Sequence, residues 1–355
     1  MSSDIYRALQ QRLDGYSVGF PPTESGVELK ILRKLFSAND ADIFLALTQK
    51  LEPPASFAAR VGLPADEAAR KLDDMAERGL LFRVRKGDAA QYAAIPFVHG
   101  VMEFQVASLD KELAELVEEY HEEAFFKAMT KSAAAFLRTV PVNRSVETQR
   151  HVASYEDAVH IIRQKDKIVL VDCICRKQKN LVHDHCAKPL EVCYMFGSMG
   201  QFYLDRGIGR LVDQDEAVRV LLEAQEAGLV TQPATAQNPG GMCNCCGDCC
   251  GVLRALNKHP KPAEMVFSNH FAQVDEDLCT GCETCLDRCQ MGAIAMNDDG
   301  LARIDLDRCI GCGLCVITCP TDALSLSPKK DGAFQAPPAG TKEQMLFMAQ
   351  RRGLL

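Results

Sequence analysis

The sequence predicts a multidomain α+β chain: a helical N-terminal domain, a cysteine-rich α/β middle module and a C-terminal domain built on a duplication. Three observations carry this. Short amphipathic helical patterns closing on a strand pair occupy residues 27–100. The apolar, β-branched run Lys167–Asp172 delivers the chain into Cys173. Cys279, Cys282, Cys285 and Cys289 recur thirty residues later as Cys309, Cys312, Cys315 and Cys319. A chain of 355 residues has room for two or three domains. The expected boundaries are 1–26, 27–100, 101–140, 141–265, 266–330 and 331–355.

Composition narrows the function classes. A net charge of -8 argues against a surface built throughout for phosphate backbones, because such binding rests on clustered Lys and Arg. No early segment reads as a signal peptide, and no apolar run approaches the ~20 residues of a membrane span. A cytoplasmic location is therefore expected. Of the 17 cysteines, none precedes Cys173. Where disulfides are rare, dense cysteine points to metal, and an odd count prevents complete pairing.

Residues 1–26 are polar, with Pro21 and Pro22 marking a loop after a short helix. Helices are expected over 27–37, over 40–50 behind an Asn39 or Asp40 cap, over 54–61, and over 65–79 ending at Gly79. Strands follow at Leu81–Arg85 and Gln91–Ile95, turned at Lys86-Gly87-Asp88. This order resembles a winged helix-turn-helix, with 65–79 in the recognition position and Arg83, Arg85 and Lys86 on the wing. That helix carries Asp66, Glu67, Asp73, Asp74 and Glu77 and would repel phosphate as much as attract it. A packing or partner-docking module is favoured over DNA binding.

Residues 103–137 read as a long helical stretch whose acidic run, Glu118, Glu119, Glu122 and Glu123, is expected to be a solvated face. A helix is expected at 155–164, then the buried strand 167–172, then an amphipathic helix within Asp213–Gly228. Gly207 and Gly209 are too few for a phosphate loop, and there is no flavin or nicotinamide signature. Thr341–Leu355 reads as a short amphipathic helix that packs back on the body.

Each half of the repeat reads C-x2-C-x2-C-x3-C. A cubane presents its irons within a few Å, so three ligands must come from one tight loop, and Gly281 and Gly311 permit that wrap. Ala293–Met296 and Leu301–Asp305 flank Asn297-Asp-Asp-Gly300, a hairpin signal. These features resemble the bacterial two-cluster [4Fe-4S] ferredoxins. The resemblance covers about 271–326 and implies a βαββαβ domain. It also implies crosswise ligation, with Cys279, Cys282, Cys285 and Cys319 on cluster I and Cys309, Cys312, Cys315 and Cys289 on cluster II. The family's proline after the fourth cysteine is present as Pro320 but is Gln290 in the first run. Structural zinc, the other use of cysteine tetrads, favours separated C-x2-C pairs.

Nine further cysteines lie between Cys173 and Cys250. Asp172-Cys-Ile-Cys-Arg-Lys177, Lys188-Pro-Leu-Glu-Val-Cys193 and Cys243-Asn-Cys-Cys-Gly-Asp-Cys-Cys250 resemble a module found beside ferredoxin domains in anaerobic bacteria. Adjacent cysteines point in different directions, so Cys245 with Cys246, or Cys249 with Cys250, should seldom ligate one cluster. Cys243, Cys246 and Cys249 repeat the ferredoxin spacing and are the candidate ligands of a third cluster, with a fourth from Cys173, Cys175, Cys186 or Cys193. Cys245 and Cys250 are left as free thiols, groups around a cluster, or ligands of another centre. One or two further iron–sulfur clusters are expected here. Arg176, Lys177 and Lys179 would hold an anion or tune a potential, and His183 and His185 are read as solvent-facing before ligands.

Residues 275–326 hold ten Asp and Glu against three Arg and no Lys, which suits docking of a basic redox partner. The leading expectation is an electron-transfer protein of anaerobic metabolism, nearer to a carrier or redox subunit than to a stand-alone enzyme. The alternatives are a redox-sensing regulator using the winged helix and a reductase with catalysis at a non-ferredoxin cluster.

Overall fold

The computed structural model describes residues 4–142, 145, 153–183, 186–330 and 333–355. Helix α1 (Ile5–Asp14) is capped by Asp4, whose carboxylate accepts from the Tyr6 amide. The stretch after it is not a free linker. Phe20 is fully buried, its ring 4.2 Å from Phe97 and 4.7 Å from Tyr120. Burying such a side chain contributes roughly 2–3 kcal/mol, which is why the polar 1–26 segment folds onto the body.

Helices α2 (Val27–Leu35), α3 (Ala38–Ala46), α4 (Pro54–Val61) and α5 (Ala65–Glu77) lead to the antiparallel pair β1 (Phe82–Lys86) and β2 (Ala89–Ala93). The cap of α3 is Ser37, not Asn39 or Asp40. Asp40 lies three residues inside and completes a capping box with the Ser37 backbone. The hairpin turns at Gly87-Asp88, with Lys86 opposite Ala89. An irregular segment at 97–105 precedes α6 (Lys111–Tyr120) and α7 (Phe126–Phe136), so the helical stretch anticipated from 103 is interrupted.

The middle module alternates α8 (Ala158–Arg163), β3 (Ile168–Asp172), α9 (Ile174–Val182), β4 (Glu191–Phe196), α10 (Gly197–Asp205), β5 (Arg210–Val212), α11 (Gln214–Glu226), β6 (Val230–Pro233) and β7 (Gly241–Cys245), then α12 (Gly251–Lys258) and α13 (Pro262–Met265). Its five strands lie in the order β5-β3-β4-β7-β6. Every pairing is antiparallel, so this is not the parallel sheet that the label α/β usually denotes. Strand β3 is buried along Ile168–Val171, which accounts for its continuous apolar run.

The C-terminal unit follows as β8 (His270–Val274), α14 (Thr284–Arg288), β9 (Ile294–Met296), β10 (Ala302–Ile304), a single helical turn at Val316–Thr318 and β11 (Leu324–Pro328). Strand β8 pairs with β11 and β9 with β10, both antiparallel. Gly281 and Gly311 sit at φ +69 and +67, where a Cβ would approach the Gly300 and His270 carbonyl oxygens to 2.4 and 2.2 Å.

Helix α15 (Thr341–Arg351) packs back on the body. The buried Gln344 amide donates to the carbonyls of Ala135 and Phe136, and Arg352 pairs with Asp14. One apolar core runs from Leu9 to Met348, and a second, small one lies inside the C-terminal unit. No described helix is long and apolar enough to cross a membrane.

Candidate metal centres

In the C-terminal unit the two cysteine runs bring their sulfurs to two cavities. Cys279, Cys282 and Cys285 line one together with Cys319 from the other run. Cys309, Cys312 and Cys315 line the second with Cys289. Backbone amides donate to these sulfurs, Ala272 to Cys309 at 3.4 Å, Ala293 to Cys289 at 3.2 Å and Ala302 to Cys279 at 3.5 Å. Such donors stabilise thiolate and shift the potential of a bound cluster. The Thr284 hydroxyl donates to Cys282 and lowers that exposed thiol's pKa. A sulfur-only set of four around each cavity, served by amide donors, fits a cubane.

The cavities differ in exposure. Cys282 is at the surface, on a segment whose Asp275, Asp277, Glu283 and Asp287 are all exposed. The second cavity lies inward, where the Cys312 carbonyl accepts from the Val142 amide at 2.9 Å. Burial raises the Cys312 thiol to about 12, so it would lose its proton only to a metal.

The segment around the second cavity's Cys289 is held against the middle module. Arg288 donates to the carbonyls of Glu226 and Gln225, and Gln290 Oε1 accepts from the Gly247 amide at 2.7 Å. The Gln290 carbonyl accepts from Asn257 at 2.9 Å. A Cβ at Gly247 would come within 2.6 Å of that carbonyl, so the approach needs glycine.

The middle cysteines separate into two sets on opposite sides of the chain. Cys243 and Cys245 are two apart on β7 and share a face, while Cys246 turns to the other. Cys246 and Cys249 meet Cys186, their sulfurs all within 4.8 Å of one another. The Arg176 guanidinium donates to Cys246 at 3.5 Å. The Cys246 thiol is pulled down to about 5, first by its hydrogen bond from Cys249 and then by Arg176.

The other set is a ring of six cysteines, Cys173, Cys175, Cys193, Cys243, Cys245 and Cys250, gathered around one cavity. The antiparallel register that sets Tyr194 opposite Met242 brings Cys193 on β4 beside Cys243 on β7. Cys173 is the N-cap of α9 and Cys250 the N-cap of α12, so two helix N-termini face the ring. The Cys173 thiol is held well below its ordinary range by hydrogen bonds from Cys175 and Cys193. All six sulfurs line a cavity of about 80 Å³ whose far wall includes Phe97, Glu103, His121 and Phe125.

The expected third set is therefore revised. Cys246 and Cys249 stay together and take Cys186, one of the four candidate partners. Cys243 does not join them, because strand alternation turns it to the opposite face. Cys173, Cys175 and Cys193 join it in the ring, and so do Cys245 and Cys250, the two thiols left without a fixed role.

The neighbouring basic residues also have specific partners. Arg176 reaches Cys246 and the Pro189 carbonyl, Lys177 donates to the Val106 carbonyl, and Lys179 pairs with Glu118. His183 is exposed and faces Glu118 rather than a thiol; His185 lies outside the described residues. Glu118 is not part of a solvated face. It is largely buried, receives Arg254 through two bonds of 2.7 and 2.8 Å, and has its carboxyl held well below the usual carboxylate range against the cost of burial.

Comparison with known proteins agrees with the C-terminal geometry. Residues 272–326 match the family described as the 4Fe-4S dicluster domain. A probable ferredoxin of Methanosarcina thermophila is 57% identical over 30 residues, which are 8% of this chain and 52% of that protein. The chain thus spans about half the length of this curated relative. No solved structure matches. The C-terminal part of the chain is a ferredoxin-type iron–sulfur domain within a mixed helix and strand structure.

Proposed function

We propose that this chain is a one-electron carrier of anaerobic metabolism, serving a partner oxidoreductase through two ferredoxin-type [4Fe-4S] clusters and delivering to, or drawing from, further metal held by the middle module. When bound, each cluster supplies reversible one-electron redox chemistry. In this reading Cys279, Cys282, Cys285 and Cys319 hold the outer cluster, and Cys309, Cys312, Cys315 and Cys289 the inner one. The exposed acidic residues around Cys282 orient a basic partner. Thr284 and the amides of Ala272, Ala293 and Ala302 stabilise the thiolates that accept their hydrogen bonds. Cys186, Cys246 and Cys249, with Arg176 beside them, take a further centre.

The observation that carries the reading is the docking of Gln290 on Gly247. It joins the residue after Cys289 to the residue after Cys246 by one hydrogen bond, and Arg288 fixes the same segment from the other side. A free-standing ferredoxin domain would have no use for such a seam.

The unit at 27–100 belongs in this reading to the scaffold rather than to DNA binding. Arg83, on the expected wing, is fully buried and paired with Asp73 and Glu77 of α5 at 2.9 and 2.7 Å. We place the chain in the cytoplasm, where thiols stay reduced. The test is rapid-freeze EPR after photochemical reduction of the anaerobic chain. The ferredoxin signals should decay as middle-module signals rise in the wild type, and more slowly in Gln290→Pro. Equal rates would sink the seam as a conduit.

A further inference from the structure

We propose that the ring of Cys173, Cys175, Cys193, Cys243, Cys245 and Cys250 is the binding site of a polynuclear iron–sulfur centre with more irons than a cubane. The proposal rests on the reading of the chain as an iron–sulfur protein and adds a specific site to it.

A [4Fe-4S] cubane takes one terminal cysteine per iron, so four thiolates saturate it. Six cysteines lining one cavity exceed that set. A cavity of about 80 Å³ is several times the 10–15 Å³ that roughly one water centre needs, so it accepts a core of many atoms.

Thiolates in this chamber would need compensating positive charge, and its walls offer little: Phe97, Met102, Val117 and Phe125 are apolar, Glu103 is acidic, and burial holds the imidazoles of His99 and His121 toward the neutral form. The N-termini of α9 and α12 supply only partial charges. Metal ions are the remaining source. All six cysteines are free thiols, and a metal core uses all six sulfurs at once.

Native mass spectrometry of the anaerobically purified full-length Cys186→Ala/Cys249→Ala protein tests this, because those substitutions remove the three-thiol set. The expected mass exceeds the polypeptide by two cubanes plus a core of more than about four irons. A remainder of one cubane or less, zinc in place of iron, or three disulfides overturns the proposal. Adding Cys193→Ser and Cys245→Ser should remove that remainder while the EPR of the two ferredoxin clusters persists. If this variant keeps the remainder, the ring is not its site. Absence of the two cubane masses in the first protein would instead sink the reading of the ferredoxin domain, so the two failures are told apart.

Discussion

Gln290 Oε1 accepts a hydrogen bond from the Gly247 amide at 2.7 Å, across 43 residues of sequence and between the two cysteine-rich parts of the chain. The position is the one where the repeat's second copy has Pro320. A proline there could shape the turn but has no side-chain acceptor to offer. Gln290→Ala should therefore leave the partly buried Gly247 amide unpaired and cost about 1–2 kcal/mol. Anaerobic denaturation with guanidinium, monitored at the cluster absorbance, measures this loss. Unchanged stability would mean that water replaces the side chain.

The acidic character around Cys282 predicts a salt-dependent encounter. With a basic haem protein as probe oxidant, stopped-flow rates should fall steeply as ionic strength rises, because exposed charges are screened beyond about 10 Å at 0.1 M salt. Glu283→Lys with Asp287→Lys should lower the low-salt rate and flatten the dependence. A flat profile for the wild type would remove the docking role.

Glu118 predicts a stability effect with a defined pH window. It ties α6 to α9 and α12 through Lys179 and Arg254. Glu118→Gln leaves Arg254 with only Glu122 as a carboxylate partner and should destabilise the chain by about 2 kcal/mol at neutral pH. Because the folded carboxyl is held below its unfolded value, its contribution is complete only above about pH 5 and fades as pH falls through the unfolded value toward the folded pKa. Thermal melts of both proteins should thus converge only in acid.

The N-terminal hairpin gives a fourth expectation. Arg83→Met removes two charge-assisted bonds to Asp73 and Glu77 and should cost about 2 kcal/mol. It should leave DNA affinity unchanged, since a buried guanidinium has no route to a phosphate. Mobility shift against the gene's own upstream DNA, with oxidised and reduced protein, checks this. Retardation by the wild type that is lost in the variant would return the unit to DNA binding.

What was legible in the sequence followed from local rules. The doubled C-x2-C-x2-C-x3-C run pointed to the ferredoxin domain because three ligands from one loop is a short-range constraint. Helix and strand positions between 54 and 93 needed only periodicity and the Gly87-Asp88 turn. Adjacent cysteines were expected to diverge, and Cys245 and Cys246 do. Which partners they find was not legible. Cys186 and Cys246 meet across sixty residues of sequence, and Cys193 meets Cys243 through a register between strands about fifty residues apart. The role of Glu118 was equally hidden, since its partners on α9 and α12 are distant in sequence. The burial of Phe20 depends on Phe97 and Tyr120 in the same way.

Strand alternation at β7 has one further consequence. Cys245 and Cys246 are joined by a single peptide bond yet belong to different cysteine sets, so the strand works as a two-sided backplane. Inserting or deleting one residue between Gly241 and Cys245 would exchange the faces of every cysteine upstream of the change relative to those downstream. The exposed Gly87-Asp88 turn would absorb the same edit with little effect. Tolerance to insertion, mapped by a scanning library under anaerobic selection, should therefore drop to nothing from Gly241 through Cys250.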